Sequence, residues 1–285
     1  MIELHNIHFS YKKKKPLLQG IHLDLDPGVV YGLFGLNGEG KSTLLRLLQG
    51  LLFPKKGNII IEGYQPKRRQ VTFLQKVFLL PENHVKGGQG TLGKFKSIYA
   101  PFYPNFSNEQ YQSILSQFGL HEKLRFAKLS TGELKKAWLS FALASNTPIL
   151  LLDEPTNGLD IPSKTIFRRL LADTIDDDRT ILIATHQIRD VHHLIDHFLM
   201  LKEGQMVFDQ SLLEIQEHFH FEIVRKEPDP ATYLYYERVP GGYFTLSKSN
   251  GYQESLDPDL EFLFNAINAQ PSNFISKAQK VNSHA

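Results

Sequence analysis

Three short stretches carry residue types whose spacing could do chemistry. Residues 35–42 read GLNGEGKS. Glycines at 35, 38 and 40 let a backbone curl around an anion, and the free N–H groups of a helix opening behind them would face it. In the spacing G-x-x-x-x-G-K-[ST], Lys41 reaches the β- and γ-phosphates of a nucleoside triphosphate and the Ser42 hydroxyl ligates Mg²⁺. Residues 149–154 read ILLLDE. Four apolar residues make a buried strand, so Asp153 emerges at its carboxyl end, where α/β sheets bind ligands. Asp153 is expected to hold Mg²⁺, through water, and Glu154 to polarise an attacking water beside the γ-phosphate. Residues 129–136 read LSTGELKK. This is a second small-residue loop opening a helix, and hence a second anion grip, but without a lysine where the first loop has one.

The elements that must position these residues follow from hydrophobic periodicity. An apolar strand at 29–34 runs into the first loop, and a helix over 41–49 follows it. Residues 1–31 look like strands joined by a polar turn at 12–15; 59–61 and 76–80 are further strands. Residues 83–128 change character: a glycine-containing loop at 86–90, then helical patterns such as 109–118. The runs 149–152 and 180–184 are continuously apolar, the mark of a parallel sheet covered on both faces, and a helix around 164–172 joins them. The expected fold is α/β. From about residue 218 the texture shifts again. A hairpin with a glycine turn over 233–246, a short helix over 260–269 and a polar tail after Pro271 make a small α+β accessory domain.

Bulk properties exclude several classes. The chain has 285 residues, 41% hydrophobic and 22% charged, with a net charge of +2 and no cysteine. No global field argues for nucleic acid, and cysteine-ligated metals and disulfides are excluded, which fits a reducing cytosol. Nothing approaches the ~20 apolar residues of a membrane span, so any membrane role needs a partner.

Together with Asn157, Asp160 and the Thr185-His186 pair, the three stretches resemble the ATP-binding subunit of an ABC transporter. The family's order is complete over residues 1–217: aromatic stacker, phosphate loop, Q-loop, helical subdomain, signature, Mg²⁺ strand, D-loop, switch histidine. The resemblance implies a P-loop NTPase of ABC type, with a mainly parallel core sheet, an antiparallel β subdomain and a helical subdomain over about 83–140, followed by the accessory domain at 218–285. It implies that Tyr11 stacks on adenine and that Gly35, Asn37, Gly38, Gly40, Lys41, Ser42 and Thr43 hold the phosphates of ATP. Ser42, Asp153 and Glu82 would bind Mg²⁺; Glu82 stands where the family usually has glutamine, and Gln75 is the alternative in the preceding segment. Glu154, His186 and Lys41 would carry the hydrolysis, His186 orienting Glu154. Ser130 and Gly132 would cover the ATP of a second ATPase subunit, identical or not, and Asp160 would cross that interface. An integral-membrane permease on a separate chain completes the implied assembly, which places this chain in the cytoplasm against the inner face of the cell membrane. Soluble relatives acting on ribosomes or DNA, and a regulatory subunit that barely hydrolyses ATP, are the alternatives.

Two residues depart from the family signature. Thr131 replaces its first glycine and Glu133 its glutamine. Glu133 brings negative charge near phosphate unless it points away or serves the helix N-terminus. Other clusters have ordinary explanations. His192, His193 and His197 fall on one expected helix without metal-site spacing. The four lysines at 12–15 make a solvated turn, Lys67, Arg68 and Arg69 a surface turn, and the aromatics at 233–244 a small core.

Overall fold

A computed structural model describes residues 1–12, 15–83, 90–249 and 256–274. The centre is a six-stranded sheet in the order β5-β6-β7-β3-β8-β9. Its strands are β3 (Val30–Phe34), β5 (Val77–Leu80), β6 (Ile149–Asp153), β7 (Thr180–Ala184), β8 (His197–Lys202) and β9 (Gln205–Ser211). The first five in that order are parallel and β9 is antiparallel. The five parallel strands are apolar along nearly their whole length because both faces are covered. Alternation sorts their side chains into two cores. Phe34, Leu80, Leu152, Ile183 and Met200 face one; Leu33, Val77, Leu151, Leu182 and Leu201 face the other.

The second core lies under α1 (Lys41–Leu48) and an antiparallel sheet in the order β2-β1-β4, formed by β1 (Ile2–Phe9), β2 (Leu18–Leu25) and β4 (Lys56–Ile61). A short α2 (Val71–Leu74) leads into β5. The first core is covered by α3 (Leu92–Tyr99), α4 (Asn108–Gln117), α5 (Thr131–Ala144) and α6 (Ile161–Ala172). Phe141 is the hub of the aromatic packing there, with Phe78, Phe95, Tyr103, Phe106 and Tyr111 around it. The expected 86–90 loop lies outside the described residues except for Gly90.

After α7 (Leu212–His218) come β10 (Phe219–Val224), β11 (Tyr235–Val239) and β12 (Gly242–Lys248), an antiparallel sheet in the order β10-β12-β11, then α8 (Leu260–Ala269). Val239 pairs with Gly242, so the hairpin turn is two residues long, and Gly241 takes φ +89° there. The aromatics of this region form a core: Phe262 stacks on Tyr235 and Phe244. That core is continuous with the main one, because Phe208 of β9 packs on Phe219 and Phe274.

The helix expected to carry all three histidines does not form. His192 and His193 sit in turns after a 3₁₀ segment, and His197 opens β8. Its i,i+4 spacing is overridden by parallel pairing with β3, reinforced by the Asp196 carboxylate, which accepts from the Val30 N–H. Arg69 ends a 3₁₀ turn and donates to the Gly50 carbonyl at 2.6 Å.

Candidate nucleotide site

The site lies over the carboxyl ends of β3, β7 and β6. The loop after β3 places Gly38 at φ +89° and Gly40 at φ +108°, left-handed values that glycine adopts without penalty. Gly40 is the N-cap of α1. A Cβ there would meet the Leu18 side chain at 2.8 Å, and one at Gly35 would meet the Leu201 carbonyl at 2.4 Å. Lys41 is buried, and its ammonium donates to the Gly35 carbonyl at 2.6 Å and the Leu36 carbonyl at 3.1 Å. Burial holds its pKa below the usual lysine value, against the opposing pull of Glu154 and Asp153.

Ser42 bridges the two halves of the site by donating to the Asp153 carboxylate at 3.0 Å. Burial raises the Asp153 pKa, and that hydrogen bond opposes the rise. Tyr11 is 58% exposed, its ring edge-on to Phe9, with its hydroxyl 3.1 Å from the Thr43 hydroxyl. It thus offers an open aromatic face beside the start of α1. Glu82 accepts from the Asn157 amide at 3.1 Å. Among the described residues no three His, Asp or Glu side chains cluster as a metal site by themselves. The hydroxyl and carboxylates of Ser42, Asp153 and Glu82 are an all-oxygen set suited to Mg²⁺, which takes few protein ligands and completes its shell with phosphate oxygens and water.

Glu154 is the most constrained residue of the site. It takes φ +46°, a left-handed conformation that costs a non-glycine residue on the order of 1–3 kcal/mol. Every polar group it has is engaged. Its N–H donates to the Ala184 carbonyl at 2.8 Å. The Thr185 hydroxyl donates to Oε2 at 2.8 Å; the His186 N–H donates to Oε1 at 3.1 Å, and His186 Nδ1 lies 2.7 Å from the same oxygen. Its carbonyl accepts from the Lys135 ammonium at 2.8 Å. Sequence reasoning gave Lys135 no role. It belongs to the third stretch, one residue before Lys136, yet it is 4% exposed, and burial pushes its ammonium down to about 8. A signal was present: Lys135, Leu139 and Ala142 follow helical spacing on the apolar stripe of α5.

The third stretch is the N-terminus of α5, where Ser130 is the cap. Glu133 serves that N-terminus. Its Oε2 accepts from both the Ser130 N–H and the Ser130 hydroxyl, each at 2.8 Å, closing a capping box. These two bonds hold the Glu133 carboxyl below the usual carboxylate range. Gly132 approaches Gly158, and Lys136 lies 3.9 Å from the Asp160 carboxylate, which caps α6 through the Ser163 N–H at 2.9 Å.

The ABC transporter family model matches residues 18–157. YtrB, an ABC transporter ATP-binding protein of Bacillus subtilis, is 27% identical over 220 residues, covering 77% of this chain and 75% of that protein. The lantibiotic transport ATP-binding protein SrtF of Streptococcus pyogenes is 28% identical, covering 74% of this chain and 91% of that protein. This chain is an ABC transporter ATP-binding subunit. A solved ATP-binding subunit of an ABC transporter superposes on the ABC subunit with TM-score 0.68 at 24% identity, over 76% of this chain and 92% of that one. An Atm1-family bacterial ABC exporter with ATP bound gives 0.66 at 22% identity, over 75% and 39%. Both show the fold. The activity is ATP hydrolysis.

Proposed function

We propose that the subunit works as one half of a head-to-tail pair in which two ATP molecules are sandwiched. The observation that carries this reading is the pair of anion grips on one chain. The loop at 35–43 and the N-terminus of α5 belong to different elements, and the second has no lysine where the first has Lys41. Tyr11 stacks on the adenine. Gly35, Asn37, Gly38, Gly40 and Thr43 line the phosphates, and the Lys41 ammonium exchanges its carbonyl acceptors for phosphate oxygens. Ser130 and Gly132 cover the nucleotide of the other subunit, with Asp160 crossing the interface. Mg²⁺ would be held by Ser42, Asp153 and Glu82, where it would neutralise charge developing on the phosphates. Glu154 accepts a proton from the attacking water, and His186 keeps its carboxylate aimed.

ATP contacts both halves only in the closed pair, so it shifts the equilibrium toward closure, and hydrolysis releases it. A membrane permease on a separate chain, engaged at the groove between the core sheet and the helical subdomain, converts that motion into transport. This agrees with relatives named as transport ATP-binding proteins, and it places the subunit peripherally on the inner face of the cell membrane. Residues 1–217 form the ATPase domain and 218–285 the accessory domain. The test is ATP hydrolysis by the purified subunit with its co-purifying membrane partner. Glu154→Gln should cut turnover by about 10²-fold or more while ATP still binds. Undiminished turnover in that variant would refute the assignment of Glu154, and co-purification with ribosomal RNA instead of a membrane protein would refute the transport reading.

A further inference from the structure

Lys135 is a buried cation that the hydrolytic scheme above does not use. A lysine in an apolar helix stripe costs folding energy, and a methionine or leucine would pack there without that cost. What it holds is the carbonyl of Glu154, at 2.8 Å. That carbonyl belongs to the one residue of the site that is both left-handed, at φ +46°, and bonded at every polar group. Thr185 and His186 grip the carboxylate from the segment that follows β7. Lys135 grips the backbone from the opposite side, from α5, the helix capped by Ser130. Without Lys135 the Glu154 carbonyl keeps only the longer bond from the Asn157 N–H, at 3.3 Å, and the N–H its bond to Ala184. The left-handed peptide can then tilt toward an ordinary conformation and turn the carboxylate from the position the other donors define.

We propose that Lys135 is a positioning residue for hydrolysis: it fixes the Glu154 backbone, and with it the direction of the carboxylate, without touching nucleotide. The proposal rests on the assignment of Glu154 as the base. It extends the role of the signature helix, whose second turn would then tune this subunit's own site while its first turn covers the partner's.

The test compares Lys135→Met and Lys135→Gln with the parent and with Glu154→Gln, all with the membrane partner present. It measures turnover, ATP affinity and thermal unfolding. Lys135→Met should lower kcat about 10- to 100-fold, the scale expected from misplacing a catalytic group by about 1 Å. ATP affinity should stay within about twofold, because the phosphate loop is untouched. The Tm should not fall in proportion, since a buried charge has gone along with the hydrogen bond. Lys135→Gln keeps a donor of shorter reach and should lie between Met and parent. If Lys135→Met does not fold, the Gln variant decides: reduced kcat at parental affinity supports the role, and parental kcat overturns it. A folded Met variant with parental kcat, or an equal loss of affinity and turnover, also overturns it. If Glu154→Gln itself turns over normally, the fault lies with the base and not with Lys135.

Discussion

Gly40 shows how tightly residue type is specified at the phosphate loop. It caps α1 at φ +108°, and a Cβ would collide with Leu18 at 2.8 Å. Gly40→Ala should therefore combine a left-handed penalty of about 1–2 kcal/mol with that clash. We expect at least a tenfold loss of ATP affinity in titration calorimetry, with the fold retained. Much of this site was legible in the sequence because its residue types are constrained one at a time: the glycines, Lys41, and the acids behind four apolar residues. Helical spacing with Leu139 and Ala142 set Lys135 on the apolar stripe of α5, but its partner and the engaged backbone of Glu154 were not legible. Periodicity shows that a side chain turns inward, not that it meets a carbonyl from a distant strand end.

At the scale of elements, the N-terminus of α5 is closed by its own carboxylate. Glu133 takes both donors of Ser130, so in the proposed sandwich the partner's phosphate would have to displace it. The capping box stabilises α5 where Glu133 is ionised. Because its folded pKa is depressed, the contribution is full above the ordinary carboxylate value of about 4.3 and is lost as pH falls through the lower folded value. Unfolding of parent and Glu133→Gln should therefore differ in Tm near neutrality and converge in acid, as pH falls through that lower folded value. A difference that persists unchanged into acid would mean the cap does not depend on charge. The sequence left this residue with two roles open, because a glutamate three positions after a serine can cap or face outward, and only the side-chain rotamer decides. Periodicity failed at 192–197, where helical spacing in the histidines yielded to sheet pairing with β3. Local pattern cannot see a strand that arrives from residue 31.

At the scale of the molecule, the accessory region is packed into the ATPase core and not merely tethered to it. Phe208, 2% exposed, touches Phe219 and Phe274, and Arg189, three residues after His186, pairs with Glu261. Phe208→Ala should cost about 3–5 kcal/mol in chemical denaturation, in one transition if the cores are as continuous as their packing. Two separated transitions would show that the regions unfold independently. The texture change at residue 218 was visible in the sequence, but the shared core was not, since a hairpin reads the same whether its face meets its own helix or another domain. The central claim concerns two molecules and two nucleotides, and one measurement reaches it directly: the mass by light scattering of Glu154→Gln with its membrane partner, with MgATP or MgADP. The account predicts a mass corresponding to two ATPase subunits held together by ATP and separate with ADP. Tight ATP binding with the ATPase subunits still apart would contradict it.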